Sequence, residues 1–143
     1  EWAFNQDWSD GNWRGAAWLR MKLDAGFVVK GSRLEVTDWK TGRVYDDHFA
    51  EEDLYALAMM LKFPKAKEIV TSFAYLDQGK VESSGKVYSI GQVGVLKEKW
   101  EDKVKPMMND KSFNCKPSPK ACRYCHYRLE NGVKIDGKAA CRW

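Results

Sequence analysis

Leu34-Glu35-Val36-Thr37-Asp38-Trp39-Lys40 is an alternating stretch that ends abnormally. Leu34 and Val36 share a face with Asp38 and Lys40, because strand side chains alternate with period two. An apolar row thus turns into a carboxylate and an amine at the edge of the core. Upstream, Ala16 to Asp24 alternates as well, through Leu19, Met21 and Leu23, so strands are expected over 16–24 and 32–40. Phe27-Val28-Val29 leads into Lys30-Gly31-Ser32, a compact turn signal that joins the two strands as a hairpin. A turn of those three residues pairs Val29 with Arg33 and, by the same count, Asp24 with Asp38. Opposed side chains stand about 5 Å apart at Cβ, and two carboxylates there repel unless a cation lies between them. A bulge at Gly26 would shift this register by one residue.

Two hard oxygen ligands suit Mg²⁺ or Mn²⁺, which keep several waters and accept phosphate oxygens. The implied chemistry is phosphodiester hydrolysis, with Lys40 orienting the attacking water or balancing charge on the phosphate. The plain alternative is a solvent-exposed Asp-Lys pair at a strand end.

Beyond this hairpin, Leu54, Leu57, Ala58 and Leu61 mark an amphipathic helix over Phe49 to Leu61, stopped by Pro64. Ile69 to Tyr75 is a β-branched and aromatic strand closed by Asp77-Gln78-Gly79-Lys80. Val93, Leu96, Trp100, Val104 and Met107 predict a second helix from about Gln92 to Met108, its last turn weakened by Pro106. The order β-β-β-α-β-α gives an α/β or α+β fold with a small mixed central β-sheet flanked by helices. A length of 143 residues holds one core. The longest apolar run, Leu54 to Leu61, has eight residues, against the ~20 that cross a bilayer, so no membrane partner is expected. The opening Glu1-Trp2-Ala3-Phe4 is not a signal peptide and lacks a methionine, which reads as a trimmed form in a cytoplasmic setting.

Charge divides the chain. Residues 1–110 hold 16 basic and 18 acidic side chains, whereas residues 111–143 hold 8 and 2. A basic tail beside an acidic body suits contact with a polyanion such as DNA. That tail also carries all four cysteines, in the spacing Cys115-x6-Cys122-x2-Cys125-x15-Cys141. One CxxC knuckle with two outlying thiols suffices for four-thiolate ligation of zinc or of an iron–sulfur cluster. Two disulfides, in any of three connectivities, are the other use of four cysteines, disfavoured inside a cell. The expected organisation is a core over 1–110 and a loop-built, cysteine-ligated metal module over 111–143 that needs its ligand to hold shape. The module would present Lys116, Lys120, Arg123 and Arg128 to phosphates.

Leu23-Asp24, with Val36-Thr37-Asp38-Trp39-Lys40-Thr41-Gly42-Arg43, resembles the PD-(D/E)XK nuclease superfamily, in particular its RecB, AddB and CRISPR-associated exonuclease branch and small phage-encoded relatives. The resemblance implies a restriction-endonuclease-like core. It implies metal ligation by Asp24, Asp38 and the Trp39 backbone carbonyl, with Lys40 as the catalytic lysine. Glu1, in Glu1-Trp2-Ala3-Phe4, matches a further active-site glutamate near the metal. Glu51-Glu52-Asp53-Leu54-Tyr55 matches the substrate-binding Gln-x-x-x-Tyr motif, with Glu51 replacing glutamine and Tyr55 retained. Met21 stands where relatives often have glycine. Ala121-Cys122-Arg123-Tyr124-Cys125-His126-Tyr127 resembles the segment with which relatives hold a four-iron–four-sulfur cluster, Cys115 replacing a ligand that comes from farther upstream; zinc is the alternative.

The function so implied is a Mg²⁺- or Mn²⁺-dependent exodeoxyribonuclease acting on single strands or DNA ends. Its setting is phage or bacterial recombination, repair or processing, with a helicase or recombination protein as partner. The alternatives are a catalytically inactive, metal-stapled nucleic-acid-binding domain and a structure-specific endonuclease. Tryptophans at 2, 8, 13, 18, 39, 100 and 143 offer stacking surfaces, with Trp8 and Trp13 the first candidates for strand contact.

Overall fold

The computed structural model describes residues 1–28, 31–112, 114–139 and 141. Val29, expected opposite Arg33, Lys30 of the expected turn, and Trp143 lie outside the described residues. Two compact units are present, residues 1–106 and 107–143.

In the first unit the elements are β1 (Trp2–Phe4), β2 (Leu19–Met21), β3 (Ala25–Val28), β4 (Arg33–Lys40), a 3₁₀ turn (Asp46–Glu51), α1 (Glu52–Lys62), β5 (Glu68–Tyr75), β6 (Lys80–Glu82), β7 (Val87–Tyr88) and a 3₁₀ turn (Ile90–Gln92) leading into α2 (Val93–Asn109). The main sheet runs β3-β4-β5-β6, with β7 also paired to β5. Only β4 and β5 are parallel, and α1 is the crossover that parallel neighbours require. This is the mixed, helix-flanked sheet expected from the order of elements.

The hairpin register holds. Ala25 pairs with Thr37, Gly26 with Val36, Phe27 with Glu35 and Val28 with Leu34, so Gly26 makes no bulge and Asp24 and Asp38 follow as the next opposed positions. The strand expected over 16–24 is corrected. Its Leu19–Met21 part pairs with β1 in a separate two-stranded sheet, and β4 takes Ala25–Val28 as partner instead. A side chain explains the break: Asp24 Oδ2 accepts the Trp39 N–H at 2.8 Å, replacing the backbone acceptor that a continued ladder would supply.

Leu34, Val36 and Ile69 of the sheet pack with Ala56, Leu57, Met59 and Met60 of α1 and Leu96 of α2. Two buried acids at the start of α1 fasten this packing. Glu52 accepts the Ser84 N–H and hydroxyl. Asp53 accepts the Tyr88 hydroxyl at 2.6 Å and pairs with Lys99 of α2 and, at 3.5 Å, with Lys86. The helix expected from Phe49 is α-helical only from Glu52, its approach being a tighter 3₁₀ turn. α2 continues past Pro106 to Asn109, and Ser89 and Gln92 cap its 3₁₀ lead-in reciprocally. Trp8 is corrected from strand contact to core: it is buried, and its Nε1–H donates to Glu101 at 2.7 Å.

The second unit, expected to be built of loops, contains short regular elements. It holds α3 (Pro119–Cys122), capped by Ser118, a 3₁₀ turn (Leu129–Asn131) and a hairpin of β8 (Lys134–Ile135) with β9 (Lys138–Ala139). All four cysteines are free thiols.

Candidate active site

β4 delivers Asp38 and Lys40 to the end of the core face, and the parallel register sets Phe73 beside Asp38 and Tyr75 beside Lys40. The 3₁₀ turn before α1 brings in Glu51, and Tyr55 follows four residues later on the same helical face. The four polar groups close on one another. Lys40 Nζ lies 2.8 Å from Asp38 Oδ2 and 3.1 Å from Glu51 Oε2. The Tyr55 hydroxyl is within donating distance of Asp38 Oδ1, at 3.2 Å, and of Glu51 Oε2, at 3.1 Å. Beneath them the Lys40 ammonium lies 5.4 Å from the centre of the Phe73 ring.

This geometry fixes protonation. Burial pulls the Lys40 ammonium toward its neutral form, but hydrogen bonds and charge from Asp38 and Glu51 outweigh it and raise its pKa. Burial, then the Asp38 and Glu51 charges, push the Tyr55 phenol far above its ordinary value. Both groups are therefore donors at neutral pH, with Lys40 cationic and Tyr55 neutral.

Of the residues singled out in the sequence, Asp38, Lys40, Glu51 and Tyr55 come together, and Asp24 reaches the same strand end through the Trp39 N–H. Glu1 does not join these contacts. It pairs with Lys22 at 3.0 Å and lines a largely apolar cavity with Trp2, Leu23 and Met59. Met21 is buried with Phe4 and Ala58. Sequence reasoning missed His48, whose Nδ1 is 2.7 Å from the Tyr75 hydroxyl and whose ring stacks on Tyr75. Only the parallel register, which sets Tyr75 opposite Lys40, could have exposed that support.

A profile of the PD-(D/E)XK nuclease superfamily matches residues 22–129. The chain belongs to the PD-(D/E)XK nuclease superfamily. No curated protein and no solved structure matches the chain. The matched span contains Asp24, Asp38, Lys40, Glu51 and Tyr55, so the PD-(D/E)XK signature and the polar cluster coincide. Membership makes the chain a nuclease of a superfamily that generally uses Mg²⁺ or Mn²⁺. No three His, Cys, Asp or Glu side chains form a metal-holding group among the described residues. Two carboxylates with a backbone carbonyl nevertheless fit Mg²⁺, which takes few protein ligands and keeps its waters. No described helix is long and apolar enough to cross a membrane.

In the second unit, the pKa of the Cys115 thiol is raised, first by desolvation, then by the charge of Cys141 and a hydrogen bond with it, and then by the charges of Cys122 and Cys125. Among the described residues no three of these cysteines form a metal-holding group. Lys116 and Lys120 are exposed. Arg128 pairs with Glu130 at 2.8 Å, and Arg123 stands over the Tyr124 ring.

Proposed function

We propose that this chain is a metal-dependent exodeoxyribonuclease of the RecB/AddB-like branch, acting on single strands or DNA ends in phage or bacterial DNA processing beside a helicase or recombination protein. The observation that carries the reading is the Asp38–Lys40–Glu51–Tyr55 cluster at the end of β4, with Asp24 opposite. Asp24, Asp38 and the Trp39 carbonyl would hold Mg²⁺ or Mn²⁺, whose charge acidifies water and offsets charge on the phosphate. Glu1 would have to leave Lys22 to take part.

The chain's own groups do the rest. Lys40, cationic and held from two sides, donates to the attacking water or to a phosphoryl oxygen. Tyr55 holds Asp38 Oδ1 and so fixes the carboxylate plane. Phe73 excludes water below the ammonium, which strengthens its field. At the cysteines, a four-iron–four-sulfur cluster or Zn²⁺ would lock the second unit's fold and steady Lys116, Lys120, Arg123 and Arg128 for phosphate contact. Protein prepared without oxygen should then be brown, with iron and sulfide in stoichiometric amounts. Colourless protein that releases zinc on denaturation selects the other metal.

A second reading rests on Glu51. Its carboxylate takes up the Lys40 charge that a phosphate needs, as an inactive DNA-binding domain would allow. Linear and circular single-stranded DNA of one sequence, incubated with Mg²⁺ or Mn²⁺, separate these readings. An exonuclease degrades the linear form alone and its ladder gives the polarity, whereas an endonuclease opens the circle. Binding without cleavage, with cleavage gained in Glu51→Gln, marks the domain silenced by Glu51.

A further inference from the structure

Beside the cluster lies an open groove of about 430 Å³ that shares Glu51 and Tyr55 with it and adds Arg20, Trp100 and Lys103 over a floor that includes Leu54. Resting on the nuclease reading above, we infer that this groove seats one unpaired nucleotide of the substrate strand, its base on Trp100 and its phosphate on Lys103. The volume is that of a small-ligand site, whereas a duplex offers no free base face to an indole. Trp100 packs against the main core, so its ring is held at the groove wall. Its Nε1–H is buried and has no hydrogen-bond partner among the described residues, so no polar bond resists a small shift of the ring toward a base.

Lys103 stands one turn along α2, its Nζ 4.2 Å from the Trp100 ring centre, and no carboxylate pairs with it among the described residues. A strand phosphate draws off that ammonium and bares the indole face. Arg20 keeps its positive charge while bonded to the Trp13 and Gly15 carbonyls, and so adds a fixed field to the same groove. The negative Glu51 marks the side that faces the reactive cluster. A nucleotide in the groove thereby places its neighbouring phosphodiester toward Asp38 and Lys40.

The test measures binding of fluorescein-labelled oligothymidylate in chelator, where no cleavage interferes. Trp100→Ala should weaken binding about tenfold, within the range of one lost stacked base, and Trp100→Phe should keep most of it. Lys103→Ala, at an exposed position that folding tolerates, should lower the salt slope by about 0.7, the value for one single-strand phosphate. The distant surface variant Lys65→Ala should bind as the wild type does. Under irradiation, oligothymidylate carrying 5-iodouracil should attach to Trp100. Cross-linking elsewhere, unchanged affinity in Trp100→Ala and Lys103→Ala, or no binding at all would overturn the groove. The same samples with Mg²⁺ report cleavage separately. Cleavage with Trp100 and Lys103 dispensable would sink the groove alone, and Trp100-dependent binding without cleavage would sink the nuclease alone.

Discussion

Tyr55 is where one hydroxyl decides the arrangement of two acids. Its proton is shared between Asp38 and Glu51, and its burial keeps that proton in place across the working pH range. Tyr55→Phe keeps the ring against Phe73 and removes only the donor. A hydrogen bond to a charged group contributes about 1.5–3 kcal/mol, so kcat for DNA cleavage should fall at least about tenfold, and the melting temperature should fall with it. Full activity in Tyr55→Phe would remove it from the site. Gly42, two residues past Lys40, has φ +83°. Its N–H donates to Asp77 Oδ2 at 2.9 Å, and its carbonyl accepts from Gln78, so the turn is pinned to the loop after β5. A Cβ there would meet nothing within 4 Å, which leaves the left-handed backbone as the whole cost of Gly42→Ala, about 1–2 kcal/mol in a urea melt. The glycine that follows Asp38-Trp39-Lys40-Thr41 is thus a requirement of the backbone.

At the level of elements, α1 holds the site because its first turn is anchored on buried acids. Burial opposes ionisation of Asp53, but hydrogen bonds from Lys99 and Tyr88 and the Lys86 and Lys99 charges outweigh it and lower its pKa. A lowered carboxylate contributes stability above its unfolded value, near about 3.9, and loses it as pH falls through the folded one. Asp53→Asn should therefore cost about 2 kcal/mol at neutral pH, a difference that closes only as the pH is taken below about 4. A gap that persists unchanged at pH 2–3 would contradict this. These acids also show where sequence reading stops. Leu54, Leu57, Ala58 and Leu61 disclosed the helix through their period, yet Glu52 and Asp53 looked like ordinary first-turn acids, because their partners Ser84, Tyr88 and Lys99 are remote in sequence. The hairpin register was legible since turn length and alternation fix it locally. β1, β6 and β7, of two or three residues each, are too short to carry a period and exist through pairing alone.

Across the whole molecule, local pattern and long-range pairing divide the site between them. Asp38 and Lys40 could be read from one strand, and Asp24 from the strand pairing. Bringing Glu51 and Tyr55 to Lys40 needed the parallel β4–β5 pair and its α1 crossover. The charge division between residues 1–110 and 111–143 was visible by counting, whereas the short helix and hairpin of the second unit were hidden among Pro, Lys and Cys without a period. On the proposed function, Asp38 and Lys40 form a hydrolytic centre. Its most direct test is cleavage of end-labelled single-stranded DNA by wild type, Asp38→Ala and Lys40→Ala, each with Mg²⁺, with Mn²⁺ and with chelator. A hydrolytic centre there gives products from the wild type with either metal, none with chelator, and a loss of at least about a thousandfold in both variants, an oxyanion-hole-sized effect or larger. Cleavage that survives either substitution, or that proceeds in chelator, would contradict it.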